Sequence, residues 1–223
     1  GVQTCALPIL PTKILLDEDV VLKNSNLFCT YGEKALIVTG KTSSIINGSL
    51  KDVTTALKKE GIAYDIFNNV EENPSLETVE AISKLGRLQK SNFIIGIGGG
   101  SPIDAAKAAG VLINNPNATI CDLFESPHLK SIPVVAVPTT AGTGTEATPY
   151  SIVTDNKLQT KHGICQRIFP EYALLDVKYL MFLPEKITIN TSIDALSHLI
   201  EGYLSTNASI LSDALAEKGL KLF

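Results

Sequence analysis

Residues 93–110 read FIIGIGGGSPIDAAKAAG: an apolar run, three consecutive glycines at Gly98, Gly99 and Gly100, then a segment carrying Ala105, Ala106, Ala108 and Ala109. An apolar run without polar alternation needs both of its faces covered, so 93–97 is read as a fully buried strand that turns through glycine directly into a helix. The alternation continues on both sides. Toward the N-terminus, 35–39 is a strand, 45–60 a helix, 63–67 a strand and 76–89 a helix; toward the C-terminus, 102–112 is a helix with Pro102 in its first turn and 132–137 a strand. This pattern predicts an α/β fold, an open parallel sheet with helices on both faces and ligands gathered at the carboxyl ends of its strands. Segments 150–154, 163–169 and 172–175 read as short strands or a hairpin extension whose order the sequence does not give. From Pro184 the composition changes: 185–204 and 210–222 favour helix with no strand between them, so a second, helical unit is expected to begin there.

The chain has 223 residues, 44% of them hydrophobic and 19% charged, a composition that supports a substantial core rather than a disordered or disulfide-held chain. The net charge of −4 comes without any dense basic block, which argues against nucleic acid as a partner. The longest apolar runs fall far below the roughly 18 residues that span a bilayer, so no membrane partner is expected either. Cys5, Cys29, Cys121 and Cys165 are scattered without a C-x-x-C pair, the pattern of a reduced, cytoplasmic chain. The opening GVQTCALPI (1–9) lacks the features of a signal peptide and is read as a non-native leader. The helix at 210–222 runs to the end of the chain, which is therefore expected to stop inside its helical unit.

Three constellations carry candidate chemistry. In the first, glycines let the backbone approach an anion closely, and the free N–H groups of the following helix attract phosphate oxygens. Ser101 is placed to cap that helix and donate to the phosphate, with Asp104 three residues on in a position resembling a capping box. A merely steric strand-to-helix turn is the other reading. The segment is neither a Walker A loop nor a G-x-G-x-x-G fingerprint on the first strand. The second constellation, VPTTAGTGTEATPYSIVTD (137–155), concentrates the hydroxyls of Thr139, Thr140, Thr143 and Thr145 after a strand, suited to a nucleotide phosphate or ribose or to an ordinary threonine-rich turn. In the third, INTSIDALSHLIEGYLS (189–205), Asp194 and His198 are four residues apart and share a helix face. One carboxylate and one imidazole begin a divalent-metal site or form a local helix contact, and Glu201 is a further ligand, an outer acceptor or a surface group. His128 and His162 lie in polar loop settings and read as surface or locally hydrogen-bonded histidines.

Taken together, GGGSPIDAAKAAG, PTTAGTGTEATPYSIVTD and IDALSHLIEGYLS closely resemble the iron-containing, group III alcohol dehydrogenase family, over residues 11–223. VTGKTSSIINGSLKDV (38–53) and EENPS (71–75) are similar to its butanol and propanediol dehydrogenase-like members. The resemblance implies a Rossmann-like dinucleotide-binding domain at 10–183 and the start of an all-helical metal-binding domain at 184–223, in the dehydroquinate synthase-like architecture, with the active-site cleft between them. It implies that Gly99, Gly100 and Ser101 hold the cofactor diphosphate and that Thr139 and Thr140 line its path toward the nicotinamide. Asn73, Ser151 and Lys161 match positions near the nucleotide, and Leu180 and Leu183 match positions beside its adenosine or ribose. Asp194 and His198 align with the first two metal ligands of the family, whose other two are histidines beyond Phe223; Fe2+ is the implied metal, and Zn2+ accepts the same ligand types.

Gly40 stands where some NAD-preferring relatives carry Asp. Without that carboxylate, and with Lys41, Ser43 and Ser44 alongside, the resemblance implies NADP(H) in preference to NAD(H). The implied activity is hydride transfer between a primary alcohol or its aldehyde and the nicotinamide. A glycerol or other polyol dehydrogenase is the alternative for the intact protein, and a nonenzymatic nucleotide-binding module for this chain alone, which lacks two metal ligands and is expected to be inactive. A homo-oligomer is expected from the family.

Overall fold

The computed structural model describes residues 10–223; the leader assigned to 1–9 lies outside the described residues. Six strands form one parallel sheet: β1 (Lys13–Leu16), β2 (Lys34–Thr39), β3 (Ala63–Phe67), β4 (Phe93–Gly98), β5 (Val134–Pro138) and β8 (Tyr172–Leu175), in the spatial order β1-β8-β5-β4-β2-β3. Between β5 and β8 the chain makes a separate antiparallel hairpin of β6 (Ile152–Asp155) and β7 (Thr160–Gly163). The helices are α1 (Val20–Lys23), α2 (Ser43–Ile46), α3 (Ser49–Lys59), α4 (Leu76–Leu88), α5 (Gly100–Asn114), α6 (Asp122–Glu125), α7 (Glu185–Leu204) and α8 (Ile210–Leu222).

The alternation of side chains along the central strands builds a core on each face. Leu36, Val38, Ile94 and Val134 point to the face covered by α4 and α5, while Ala35, Ile37, Ile95, Ile97 and Val135 point to the face covered by α1 and α3. Burial of one such Ile or Leu contributes roughly 1.5–3 kcal/mol. The small residues of α5 have a steric cause: a Cβ on Gly96 of β4 would stand 3.0 Å from the Ile103 Cα and 3.2 Å from the Ala106 Cβ. Strand and helix backbones therefore meet more closely than larger side chains allow. The far end of α5 is closed by Arg87, whose guanidinium donates to the carbonyls of Leu112 (2.6 and 2.9 Å), Asn115 (3.2 Å) and Ala118 (3.2 Å).

After β2 the chain crosses on the α3 face, and after β4, its neighbour, on the α5 face. The carboxyl ends of β2 and β4 therefore flank a crevice at the point where the strand order reverses, the usual ligand position of such sheets. Gly40 follows β2 there and Gly99 follows β4.

Several local features depart from the sequence reading. The helix expected over 45–60 breaks at Asn47 and Gly48, where the Asn47 Oδ1 accepts the Ser49 N–H at 3.0 Å and begins α3 anew. β1 was not anticipated, because its apolar run is only the three residues Ile14, Leu15 and Leu16, between charged neighbours, too short to mark a strand. Of the three segments left open, only 172–175 joins the main sheet. The strand candidate at 163–169 ends at Gly163 instead; Ile164 and Ile168 are buried by the core of the α4–α5 face without ladder pairing.

Candidate active-site cleft

A cavity of about 1190 Å³ opens at the carboxyl edge of the sheet. One wall comes from the β4–α5 turn and the threonine loop after β5, and the opposite wall from one face of α7. The turn begins at Gly98, whose φ is +146° and where a Cβ would come to 2.7 Å from the Pro102 Cγ, leaving no place for a side chain. Helix α5 then starts at Gly100 with Gly99 as its N-cap and no side-chain cap, so the first N–H groups of a 15-residue helix are left for a ligand.

Ser101 is therefore not the cap. The helix starts one residue ahead of Ser101, and Pro102, lacking an N–H, is tolerated at its third position, where no intrahelical donor is needed. The Ser101 Oγ instead accepts the backbone N–H of Asn73 at 3.0 Å, and the Asn73 Oδ1 accepts from the Lys161 Nζ at 2.7 Å. These two contacts join the 71–75 loop, the helix start and the β6–β7 hairpin around one end of the cleft, with Lys161 adding a positive charge.

The threonine loop packs on the glycine turn. The Thr139 N–H donates to the Gly98 carbonyl at 2.8 Å, and a Cβ on Gly99 would come to 3.0 Å from the Thr140 Oγ1. That Thr140 hydroxyl is buried with no hydrogen-bond partner while its residue lines the cavity. An unpaired buried hydroxyl is costly, and a polar ligand in the cleft would satisfy it.

Behind this loop lies a pair that sequence reasoning passed over. Lys107 has no solvent exposure, and its Nζ donates to the carbonyls of Thr145 (2.7 Å), Thr148 (2.9 Å) and Tyr150 (2.7 Å) and to the Thr145 Oγ1 (3.0 Å). Burial pushes its pKa down to about 8, against the opposing pull of Asp104 and Glu146. Asp104, expected at most to cap its own helix, accepts from the Thr145 hydroxyl and from the Ile152 N–H (3.0 Å). Burial raises its carboxyl, opposed by those two bonds and by Lys107. Glu146, also in the cavity wall, is raised by burial. The signal was available: one lysine amid four alanines of a helix buried all round, three residues after an aspartate.

The other wall brings Asp194 and His198 into the same cavity from α7. Their Oδ1 and Nε2 atoms are 3.9 Å apart and both side chains are about half exposed. A carboxylate and an imidazole so placed suit a divalent ion. Among the described residues no third His, Cys, Asp or Glu joins them, and Glu201 faces Ser197 instead, at 3.4 Å. The two walls touch at Gly142: with φ +142°, its Cβ would lie 2.9 Å from the carbonyl carbon of Thr191 on α7.

Of the nucleotide positions implied by resemblance, Asn73, Gly100, Ser101, Thr140, Lys161 and Leu180 line this cavity. Gly99 and Thr139 lie directly behind it, and Gly40 stands at the neighbouring crevice with its Cβ position 3.5 Å from the Val70 carbonyl oxygen. Ser151 is fully buried and donates to the Asp104 carbonyl at 2.8 Å; Leu183 is partly buried outside the lining. His162 meets Thr160 at 2.7 Å and the Phe124 ring edge-on, away from the cleft.

A family model described as iron-containing alcohol dehydrogenase matches residues 11–177. The chain belongs to the iron-containing alcohol dehydrogenase family. It is 37% identical over 196 residues to the NADPH-dependent butanol dehydrogenase of Clostridium saccharobutylicum, covering 86% of this chain and 50% of that protein. It is 38% identical over 197 residues to the lactaldehyde reductase of Escherichia coli K12, covering 85% and 50%. The solved iron-containing alcohol dehydrogenase of Thermotoga maritima superposes with a TM-score of 0.91 at 43% identity, covering 96% of this chain and 59% of that one. The chain thus spans about half the length of the curated relatives it matches. The described part of the chain holds the six-stranded parallel sheet and, after it, α7 and α8, with Asp194 and His198 on α7; no described helix is long and apolar enough to cross a membrane.

Proposed function

We propose that this chain forms the dinucleotide half of a metal-dependent alcohol dehydrogenase or aldehyde reductase, which transfers a hydride between a primary alcohol or its aldehyde and NADP(H). One observation carries the reading: a single cavity has an uncapped helix N-terminus and an unpaired threonine hydroxyl on one wall and an aspartate–histidine pair on the other. Gly99, Gly100 and Ser101 bind the diphosphate, Lys161 adds charge close by, and Thr139 and Thr140 orient the nicotinamide end. Asn73 holds Lys161 and Ser101 in register. Ser151 acts from behind, through Asp104, and Leu180 and Leu183 flank the adenosine side.

Asp194 and His198 would hold a divalent metal, Fe2+ by family and with Zn2+ suited to the same ligands; it supplies Lewis acidity at the alcohol oxygen. Two ligands leave a site incomplete, so this chain alone binds the nucleotide and does not turn it over. The division at residue 184, homo-oligomerisation and a cytoplasmic setting belong to the same proposal.

NADP(H) preference rests on Gly40, which puts no carboxylate beside the ribose. Titrating the chain with NADPH and NADH by nicotinamide fluorescence tests the nucleotide reading, with tighter NADPH binding expected; absence of binding by either refutes it. When the chain is extended to the length of its relatives, Asp194→Asn and His198→Ala are expected to abolish metal retention measured by elemental analysis. Full retention in both variants refutes the ligand assignment.

A further inference from the structure

We propose that Lys107 is a positioning residue: its ammonium group, acting from inside helix α5, holds residues 145–150 in the shape that makes them a wall of the cleft. The proposal rests on the dinucleotide reading for its consequence, and on geometry for itself. Residues 139–151 contain no helix or strand, so their carbonyls lack the ladder partners of regular structure. Three of them, at Thr145, Thr148 and Tyr150, turn inward onto one Nζ at 2.7–2.9 Å, and the Thr145 Oγ1 completes the set at 3.0 Å. A buried carbonyl without a donor is costly. The loop therefore keeps this fold only while a donor with three N–H bonds sits at its centre.

Lys107 touches no ligand space itself, since it is fully buried and absent from the cavity lining. The segment that it gathers is the lining: Thr145, Glu146, Thr148 and Tyr150 all face the cavity. Helix α5 thus does two tasks two turns apart. Its first turn presents free N–H groups, and Lys107 ties the adjoining loop of the same wall to the same rigid rod, fixing their relative position. The charged groups acting on the ammonium are Asp104 from its own helix and Glu146 from the loop. Loss of one proton leaves two N–H donors for four oxygens and releases at least one carbonyl.

The test compares the chain with its Lys107→Met variant, which keeps length and apolar stem but has no donor. Two readouts are used: NADPH affinity by nicotinamide fluorescence, and deuterium exchange of the 143–150 amides in the free chain. The variant is expected to bind NADPH at least tenfold more weakly, and its 143–150 amides to exchange at least tenfold faster while β4 and β5 stay protected. The parent's affinity is expected to fall between pH 7 and 9.5, and that of Lys107→Met to stay flat. Affinity within twofold of the parent, with unchanged loop exchange, overturns the proposal.

Should neither protein bind NADPH or NADH, the dinucleotide reading fails, and loop exchange alone still decides for or against Lys107. Should Lys107→Met not fold, Thr145→Val, which removes the hydroxyl bonded to both Lys107 and Asp104, carries the test. A several-fold rise in loop exchange is then expected, and no change overturns the proposal.

Discussion

Replacing Gly142 by Ala probes a place where the two walls of the cleft meet. At φ +142° an L-residue is strained by about 1–3 kcal/mol. The new methyl would also lie 2.9 Å from the Thr191 carbonyl carbon and 3.1 Å from the Thr191 Cβ. The Thr191 carbonyl oxygen is nearer still, and ordinary carbon contacts begin near ~3.5 Å, so loop and helix must part by more than roughly 0.6 Å, the shortfall at the carbonyl carbon alone. The loop is anchored by Lys107 and Asp104, whereas α7 buries none of its own residues. The helix gives way first.

Asp194 and His198 lie one and two turns beyond Thr191, so they move away from the nucleotide wall with it. Two results follow from that asymmetry. Urea unfolding of the chain shows a loss of about 1–3 kcal/mol, the size of the backbone strain alone. In a protein extended to the length of its relatives, kcat falls by about 100-fold, as for a misplacement approaching 1 Å, while NADPH affinity stays within about threefold. A variant with parental kcat and parental stability would refute the claim that this contact sets the width of the cleft.

Gly40→Asp, for which the Cβ has room 3.5 Å from the Val70 carbonyl oxygen, is expected to shift the NADPH-to-NADH affinity ratio toward NADH by tenfold or more; titration of both nucleotides checks it, and an unchanged ratio rejects Gly40 as the determinant. Ile95→Ala, at a fully buried position of the central strand, should cost about 2–5 kcal/mol in urea unfolding. Asp122 accepts from the Thr119 N–H and hydroxyl, both at 2.8 Å, and these bonds hold its carboxyl below the usual range. Because its folded value is depressed, its contribution is present above the unfolded value near ~3.9 and fades as pH falls through the folded one. Acid titration of stability should therefore be shallower in Asp122→Ala than in the parent.

The order of elements was legible wherever strands were buried on both faces. β2, β4 and β5 announce themselves as apolar runs, and α5 as a small-residue helix after glycine. β1 was not legible, since an edge strand with Ile14 and Leu16 exposed has no pattern to distinguish it from loop. The break between α2 and α3 turns on one asparagine side chain taking a backbone N–H, which helix periodicity does not encode.

At the cleft, glycine and threonine clusters marked the wall proposed for the nucleotide, and i, i+4 spacing marked Asp194 with His198 on the wall facing it. Ser101 was misread as a cap because serine followed by proline is the usual pattern of a cap and a first helical residue, whereas this helix begins one residue earlier. Lys107 was missed because its partners are main-chain carbonyls about forty positions away, brought together only by the fold.

The tight seating of α5 against Gly96 reaches beyond the core. A helix with no slack toward the central strand cannot drift or tilt, so its leading amides are aimed before any anion arrives and little reorganisation is left for binding. The opposite wall carries no such constraint: α7 buries none of its own residues, so any reshaping of the cavity falls to that side.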